Sequence, residues 1–249
     1  ILESKGRAWV VAEAGNGFQA LEQMKREPVD VAIVDLSMPG MSGIDLIRRI
    51  RSEHPHTQVM VLSMHAEEQY ALRAFKAGAA GYLTKDRASD ELVNAVNKVA
   101  GGGAYVNSSG CPIVTLTNIA ITGNTADLGG GVANDGCGSL TITSSTISGN
   151  TAVSGDGGGI NSTYALTLTN VTVSGNATIN GDGAGIYTNS FGNTTTITNS
   201  TISGNIAGTG GGIFAGNGTM TVTGSTISGN TAGTGGGVSF APTSLLPVD

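Results

Sequence analysis

One repeat limits what this chain can fold into more than any other feature. The pair Gly-Asn recurs at Gly123-Asn124, Gly149-Asn150, Gly175-Asn176, Gly204-Asn205 and Gly229-Asn230, with asparagine spacings of 26, 26, 29 and 25 residues. Three residues before each asparagine stands Ile121, Ile147, Val173, Ile202 or Ile227, and eight before it Leu116, Ile142, Leu168, Ile197 or Val222. A triplet of small residues precedes Val132, Ile160, Ile186, Ile213 and Val238. Each repeat therefore holds short alternating runs separated by Gly/Asn turns. Such a unit cannot bury an apolar face alone, but it can stack on its neighbours. The pattern predicts an all-β parallel β-helix of about five rungs, with aliphatic residues inside, Ser and Thr outside, and rungs about 4.8 Å apart.

These repeats resemble the right-handed β-helix proteins of the pectate-lyase-like class, which occur on bacterial surfaces and among glycan-active enzymes. Asn124, Asn150, Asn176, Asn205 and Asn230 are expected to form a structural ladder, their amides bonding along the stack. Cys111 and Cys137 each lie 13 residues before a repeat asparagine, so they occupy one place on successive rungs. Their Cα atoms should approach within disulfide range. A disulfide would suit secretion, and two stacked thiols the cytosol. Asp156 and Asp182 also precede the small triplet in neighbouring repeats. They read either as stacked turn residues, the reading preferred here, or as a carboxylate pair for glycan chemistry.

Charge divides the chain in two. All 12 Lys and Arg and all three His lie before residue 99, whereas from Val106 onward the only charged residues are Asp127, Asp135, Asp156, Asp182 and Asp249. Such asymmetry argues for two unrelated modules, assigned here to residues 1–104 and 105–249. Catalysis in the second has few candidate bases or charge stabilisers, and no enzymatic activity is expected. Neither half is basic, so no direct nucleic-acid binding is expected. No apolar run approaches the roughly 18 residues needed to cross a bilayer. The N-terminal sequence also lacks the order of a secretory signal. The expectation is a cytoplasmic protein, or an extracellular or cell-surface location if the repeat half governs.

The first half alternates strand and helix. Ile1–Ser4 reads as the tail of a helix, Trp9–Ala12 as a short strand, and Gly15-Asn16-Gly17 as the turn into a helix ending near Arg26. Val31–Val34 reads as a strand buried on both faces and ending on Asp35. After the turn at Pro39-Gly40, Ile44, Leu46, Ile47 and Ile50 put an apolar stripe on the next helix, and Arg48, Arg49 and Arg51 its wet side. Val59–Leu62 ends at Ser63. A helix follows over Glu67–Ala77, with Ala71, Ala74 and Phe75 inward. Tyr82–Thr84 ends at Lys85, and Leu92, Val96 and Val99 line the last helix. This order predicts an α/β doubly wound parallel sheet. In such a sheet ligands gather beyond the carboxyl ends of the strands, where the acid, hydroxyl and ammonium of Asp35, Ser63 and Lys85 would stand.

The segments VDLSMPGMSG, VLSMH and GYLTKD, in that order, resemble the motifs of response-regulator receiver domains over roughly the first hundred residues. The resemblance implies a flavodoxin-like fold, with Asp35 as phosphoacceptor, Ser63 as switch hydroxyl, Lys85 as phosphate partner and Tyr82 as aromatic switch residue. It also implies phosphorelay signalling with a sensor histidine kinase or a small phosphodonor. Tyr82 reads equally well as a half-buried strand aromatic. The family opens with a central strand ending in two acidic residues that hold Mg²⁺, and this sequence starts after that strand. Glu3 and Glu13 do not stand at the end of an opening strand, so Asp35 alone is an incomplete metal site. Phosphorylation is therefore expected to be impaired. The alternative is a cell-surface or glycan-binding structural β-helix carrying a non-functional receiver remnant. His54, His56 and His65 lack metal-ligand spacing.

Overall fold

The computed structural model describes residues 10–65, 68–101, 103–107, 113–135, 138–189, 192 and 194–241, with backbone alone at 68, 72, 90, 91, 94, 106 and 107. The chain divides into two units. The first is Ile1–Val114 with Gly136–Gly138, and the second is Thr115–Asp135 with Ser139–Asp249.

In the first unit the helices start where short polar side chains offer caps. Asn16 accepts the Gln19 N–H at 3.0 Å and opens α1, Gly17–Arg26. Ser42 accepts the Asp45 N–H at 3.2 Å and opens α2, Gly43–Glu53. Each cap satisfies an N–H that the helix itself cannot. Two further helices follow, α3 (Glu68–Ala77) and α4 (Ala88–Ala100). Between them run β1 (Val31–Val34), β2 (Gln58–Ser63), β3 (Gly81–Thr84) and β4 (Ala104–Asn107), all parallel and paired in chain order. Leu46, Ile47 and Ile50 of α2, Ala71 and Ala74 of α3, and Leu92, Val96 and Val99 of α4 are buried. Phe75 is only half-buried. At Gly81 a Cβ would stand 2.4 Å from the Met60 sulfur and 2.8 Å from Val99, so only glycine lets α4 and β2 close on β3.

Three expectations change. Val10–Ala12 forms no strand, and Val10 and Val11 are 45% and 49% exposed. An apolar run becomes a strand only within a partner's ladder; Trp9, like Ile1–Ser4, lies outside the described residues. β1 is not buried on both faces, since only Val34 is buried and Ile33 is 39% exposed. β1 borders β2 alone among the described residues, so it is an edge strand. Finally, the break in composition at 104–105 falls at the head of β4, whose Ala104 and Tyr105 are buried and which pairs with β3. Gly101 to Gly103 resembles a linker in composition but leads into a strand of the same sheet.

In the second unit every repeat supplies four short strands. Val114–Thr117, Leu140–Thr143, Leu166–Thr169, Thr194–Thr198 and Thr219–Thr223 form one five-stranded sheet in chain order. Ala120–Thr122, Thr146–Ser148, Thr172–Ser174, Thr201–Ser203 and Thr226–Ser228 form a second, and five runs of two to four residues beginning at Thr125–Ala126 form a third. Val132–Asn134, Ile160–Ser162, Ile186–Thr188, Ile213–Ala215 and Val238–Phe240 pair likewise. All these pairs are parallel, an arrangement compatible with a parallel β-helix. Ile147, Val173 and Ile202, like Ile142, Leu168 and Ile197, are fully buried one above another. Val222 is 39% exposed, because no rung lies beyond its own among the described residues.

Backbone chemistry at the corners explains the repeat. Asn118, Ser144, Asn170, Asn199 and Gly224 turn the first corner with φ of 55°, 47°, 55°, 49° and 58°. The Gly of each Gly-Asn takes the second, also at positive φ. The small triplet has another cause, which is close approach. A Cβ on Gly158 would lie 2.3 Å from the Ala177 carbonyl oxygen, and one on Gly159 2.6 Å from that of Gly185.

Candidate functional site

Parallel pairing sets the site. Val34 of β1 lies opposite Val61 of β2, and Ser63 opposite Thr84 of β3, so Asp35, Ser63 and Lys85 come at the carboxyl ends of three neighbouring strands. The Lys85 N–H donates to the Ser63 carbonyl at 2.9 Å, which ties the ends of β2 and β3 together. The Lys85 ammonium reaches across to Asp35, donating from Nζ to Oδ2 at 2.6 Å. The other carboxylate oxygen, Oδ1, accepts the Ser37 N–H at 2.9 Å. Burial pushes the Asp35 carboxyl up, but the Lys85 hydrogen bond, the Ser37 N–H and the charge of Lys85 outweigh it and hold the carboxyl below its ordinary value. Asp35 is thus an anion at neutral pH with a cation already in place. Its side chain keeps 30% exposure, so an incoming molecule can reach it.

Ser63 is fully buried, and its hydroxyl accepts the His65 N–H at 3.1 Å. Tyr82 is 1% exposed, more enclosed than a half-buried strand aromatic, and its hydroxyl donates to the His65 carbonyl at 2.5 Å. Both residues therefore grip the short segment after β2. Two further residues at the site are not legible as members of it from sequence. The Ser37 hydroxyl lies 3.2 Å from His65 Nε2, and the His65 ring stacks on Tyr70 with centroids 4.1 Å apart. The available signal was their position, each two residues beyond a strand-end residue.

Among the described residues the Mg²⁺ site at Asp35 is incomplete. Mg²⁺ takes oxygen ligands in an octahedron, keeps several waters, and is usually fixed by one or two carboxylates with a substrate phosphate. Here Asp35 is a single carboxylate with Lys85 on one oxygen and a backbone N–H on the other. Among the described residues no group of three His, Cys, Asp or Glu gathers anywhere. Glu13 gives its backbone carbonyl to the Gln23 side chain. Glu3 lies outside the described residues, as do Cys111 and Cys137.

The second unit uses its polar residues differently. The N–H groups of Asn124, Asn150, Asn176 and Asn205 donate to the side-chain oxygen of the next asparagine at 3.0, 2.9, 2.9 and 3.0 Å. Their side-chain amides donate to the same oxygens at 2.8–2.9 Å. Asp156 accepts the Asp182 N–H at 2.8 Å, so these two are joined through backbone as stacked turn residues. Burial, then the nearby Asp182 charge, raise the Asp156 carboxyl above its ordinary value against the opposing Asp182 N–H and Tyr187. Tyr187 and Phe214 stack in parallel, 5.3 Å apart.

Comparison with known proteins bears on the first unit. Residues 1–97 match the response regulator receiver domain. The transcriptional regulatory protein DegU of Brevibacillus brevis is 39% identical over 98 residues, covering 39% of this chain and 42% of that protein. MctR of Rhizobium johnstonii is 40% identical over 108 residues, covering 43% and 50%. The response regulator UvrY of Escherichia coli is 34% identical over 119 residues, covering 48% and 55%. Among solved structures, a two-component response regulator of the LuxR family from Aurantimonas sp. SI85-9A1 is 33% identical, with a TM-score of 0.40, covering 43% of this chain and 78% of that one. The chain spans about half the length of the curated relatives it matches. Residues 1–97 are thus similar to a response regulator receiver domain, and β1 to β4 form a parallel sheet. No helix among the described residues is long and apolar enough to cross a membrane.

Proposed function

We propose, starting from the receiver-domain match of residues 1–97, that this chain serves phosphorelay signalling with Asp35 as the residue that accepts the phosphoryl group. The observation that carries the reading is the Lys85 ammonium on the Asp35 carboxylate at 2.6 Å. In the reaction a carboxylate oxygen attacks phosphorus and an oxygen–phosphorus bond forms. The bond from phosphorus to the donor breaks, and the donor keeps the electron pair, leaving as a carboxylate or as a kinase imidazole. Lys85 stays beside the new phosphoryl oxygens and neutralises part of their charge. The Ser63 hydroxyl turns from the His65 N–H to a phosphoryl oxygen, and Tyr82, bonded to the His65 carbonyl, senses the movement of that segment. The partner is a sensor histidine kinase or a small phosphodonor.

Transfer in this chain is slow, because one carboxylate occupied by an ammonium is a poor place for Mg²⁺. Incubation with acetyl phosphate, read by intact mass, tests this. Slow, partial labelling that changes little with Mg²⁺ is expected. Rapid labelling that depends on Mg²⁺ would overturn the impairment and call for ligands beyond those described.

The second unit is read as a non-catalytic right-handed parallel β-helix. A glycan-binding role has one observation in its favour, the parallel rings of Tyr187 and Phe214. The Asn217 amide donates to Asn189 at 2.7 Å, and that of Asn189 to the Tyr187 hydroxyl at 3.3 Å. Binding on a glycan array that Tyr187→Ala abolishes would support that role, and an array without signal would remove it.

A further inference from the structure

We infer that the threonine face of the second unit is a binding surface for crystalline water, that is, for ice. Each strand of its first sheet carries Thr-x-Thr: Thr115 and Thr117, Thr141 and Thr143, Thr167 and Thr169, Thr196 and Thr198, Thr221 and Thr223. The residue between each pair, Leu116, Ile142, Leu168, Ile197 or Val222, belongs to the apolar series that stacks along the unit, so both threonines point to the other side. Parallel register keeps the two columns aligned. Thr167 lies opposite Thr141 and Thr196, Thr169 opposite Thr143 and Thr198, and Thr196 and Thr198 opposite Thr221 and Thr223.

The result is a regular two-column grid of hydroxyl and methyl groups. It repeats about 4.8 Å across the strands and about 6.6 Å along them, the distance of two residues. Both repeats come close to oxygen spacings on a prism face of ice. Three properties make the grid suitable for such an occupant. The hydroxyls of Thr141, Thr167, Thr169, Thr196, Thr198, Thr221 and Thr223 accept and donate no hydrogen bond among the described residues, so all are free for water; Thr117 and Thr143 alone share one, at 3.3 Å. No charged residue stands on these strands to hold disordered, strongly oriented water. Threonine is branched at Cβ and stiff about χ1, so the grid is ordered before any ligand arrives and little side-chain freedom is lost on binding.

The neighbouring sheet supplies the control. Its outward residues are Ala120, Thr146, Thr172, Thr201 and Thr226 in one column, and Thr122, Ser148, Ser174, Ser203 and Ser228 in the other. Serine lacks the methyl and turns freely, so that face has half the ordered array.

The test uses the full chain. Thermal hysteresis and partition of fluorescently labelled protein into a slowly growing ice front are measured for wild type, Thr167→Tyr, Thr196→Tyr and, on the neighbouring sheet, Thr172→Tyr. Far-UV circular dichroism reports the fold of each. Wild type is expected to enter the ice and to depress its growth temperature. Thr167→Tyr and Thr196→Tyr should each lose most of both effects, and Thr172→Tyr should keep them. Folded wild type that is excluded from ice overturns the inference. So does an equal loss in Thr172→Tyr and whichever of the first two variants stays folded.

Discussion

The two units hold polar groups in opposite ways. At the strand ends of the first, each polar residue occurs once and keeps spare capacity. Asp35 has two partners and remains 30% exposed, and Lys85 remains 38% exposed. In the second unit the same asparagine recurs in every repeat, and its hydrogen bonds are spent on its neighbours. Asn150, Asn176 and Asn205 are fully buried. An unrepeated, accessible charge pair can exchange a partner for a substrate. A saturated ladder cannot do so without losing the stack. The difference separates chemistry from architecture in this chain, and substitutions in the two units should therefore fail differently.

The largest effect on stability is expected in the ladder. Asn176→Ala removes the acceptor of the Asn150 N–H and side-chain amide and the donor to the Ile147 carbonyl. Buried groups left unpaired cost about 1–3 kcal/mol each. The substitution should thus cost roughly 3 kcal/mol or more in urea denaturation, without altering phosphoryl labelling at Asp35. Gly158→Ala should be comparably severe, since its Cβ would overlap the Ala177 backbone. Gly123→Ala meets nothing within 4 Å and carries only the strain of φ +69°, so its cost should be about 1–2 kcal/mol. Equal costs for the two glycines would contradict close approach as the reason for the triplet.

In the first unit the order reverses. Lys85→Ala should cost less than about 1 kcal/mol of stability, as expected for a partly exposed ion pair, yet it should remove most of the labelling. The Asp35 carboxyl, followed by NMR titration, should rise toward its ordinary value.

The smallest effects are those of pH, and their signs differ between the units. Folding holds Asp35 low, so its contribution is present above the unfolded value and fades as pH falls through the lowered one. Asp156 is held high, so its contribution is present at low pH and fades as pH rises through the raised value. Asp156→Asn keeps the oxygen that accepts the Asp182 N–H and removes the buried charge. It should raise the stability of the second unit, and so its denaturation midpoint, slightly at neutral pH, by less than about 1 kcal/mol of unfolding free energy. A lowered midpoint would mean that the charge itself is needed.

How much of this was legible in the sequence follows from the same contrast. Repetition made the second unit readable, because period, apolar positions and turns recur and each instance corroborates the others. Asp35, Ser63 and Lys85 were readable because each ends an apolar run, and parallel pairing brings run ends together. Ser37 and His65 were not, since a single side chain on a connecting segment carries no periodicity, and Tyr70 of α3 joins them only through its stack on His65. The strand read at Trp9–Ala12 shows the limit from the other side. Apolar content proposes a strand, but only a paired neighbour makes one. The triplet glycines were likewise visible as a pattern, while their cause, backbone of the next rung within van der Waals range, exists only in the stack.

The account rests on Asp35 as the group that takes the phosphoryl label, and mapping that label tests it most directly. After long incubation with excess acetyl phosphate, digestion and peptide mass analysis of wild type should place one phosphoryl group on the peptide containing Asp35, and Asp35→Asn should carry none. The same label in Asp35→Asn, or no label at all in folded wild type, would contradict it.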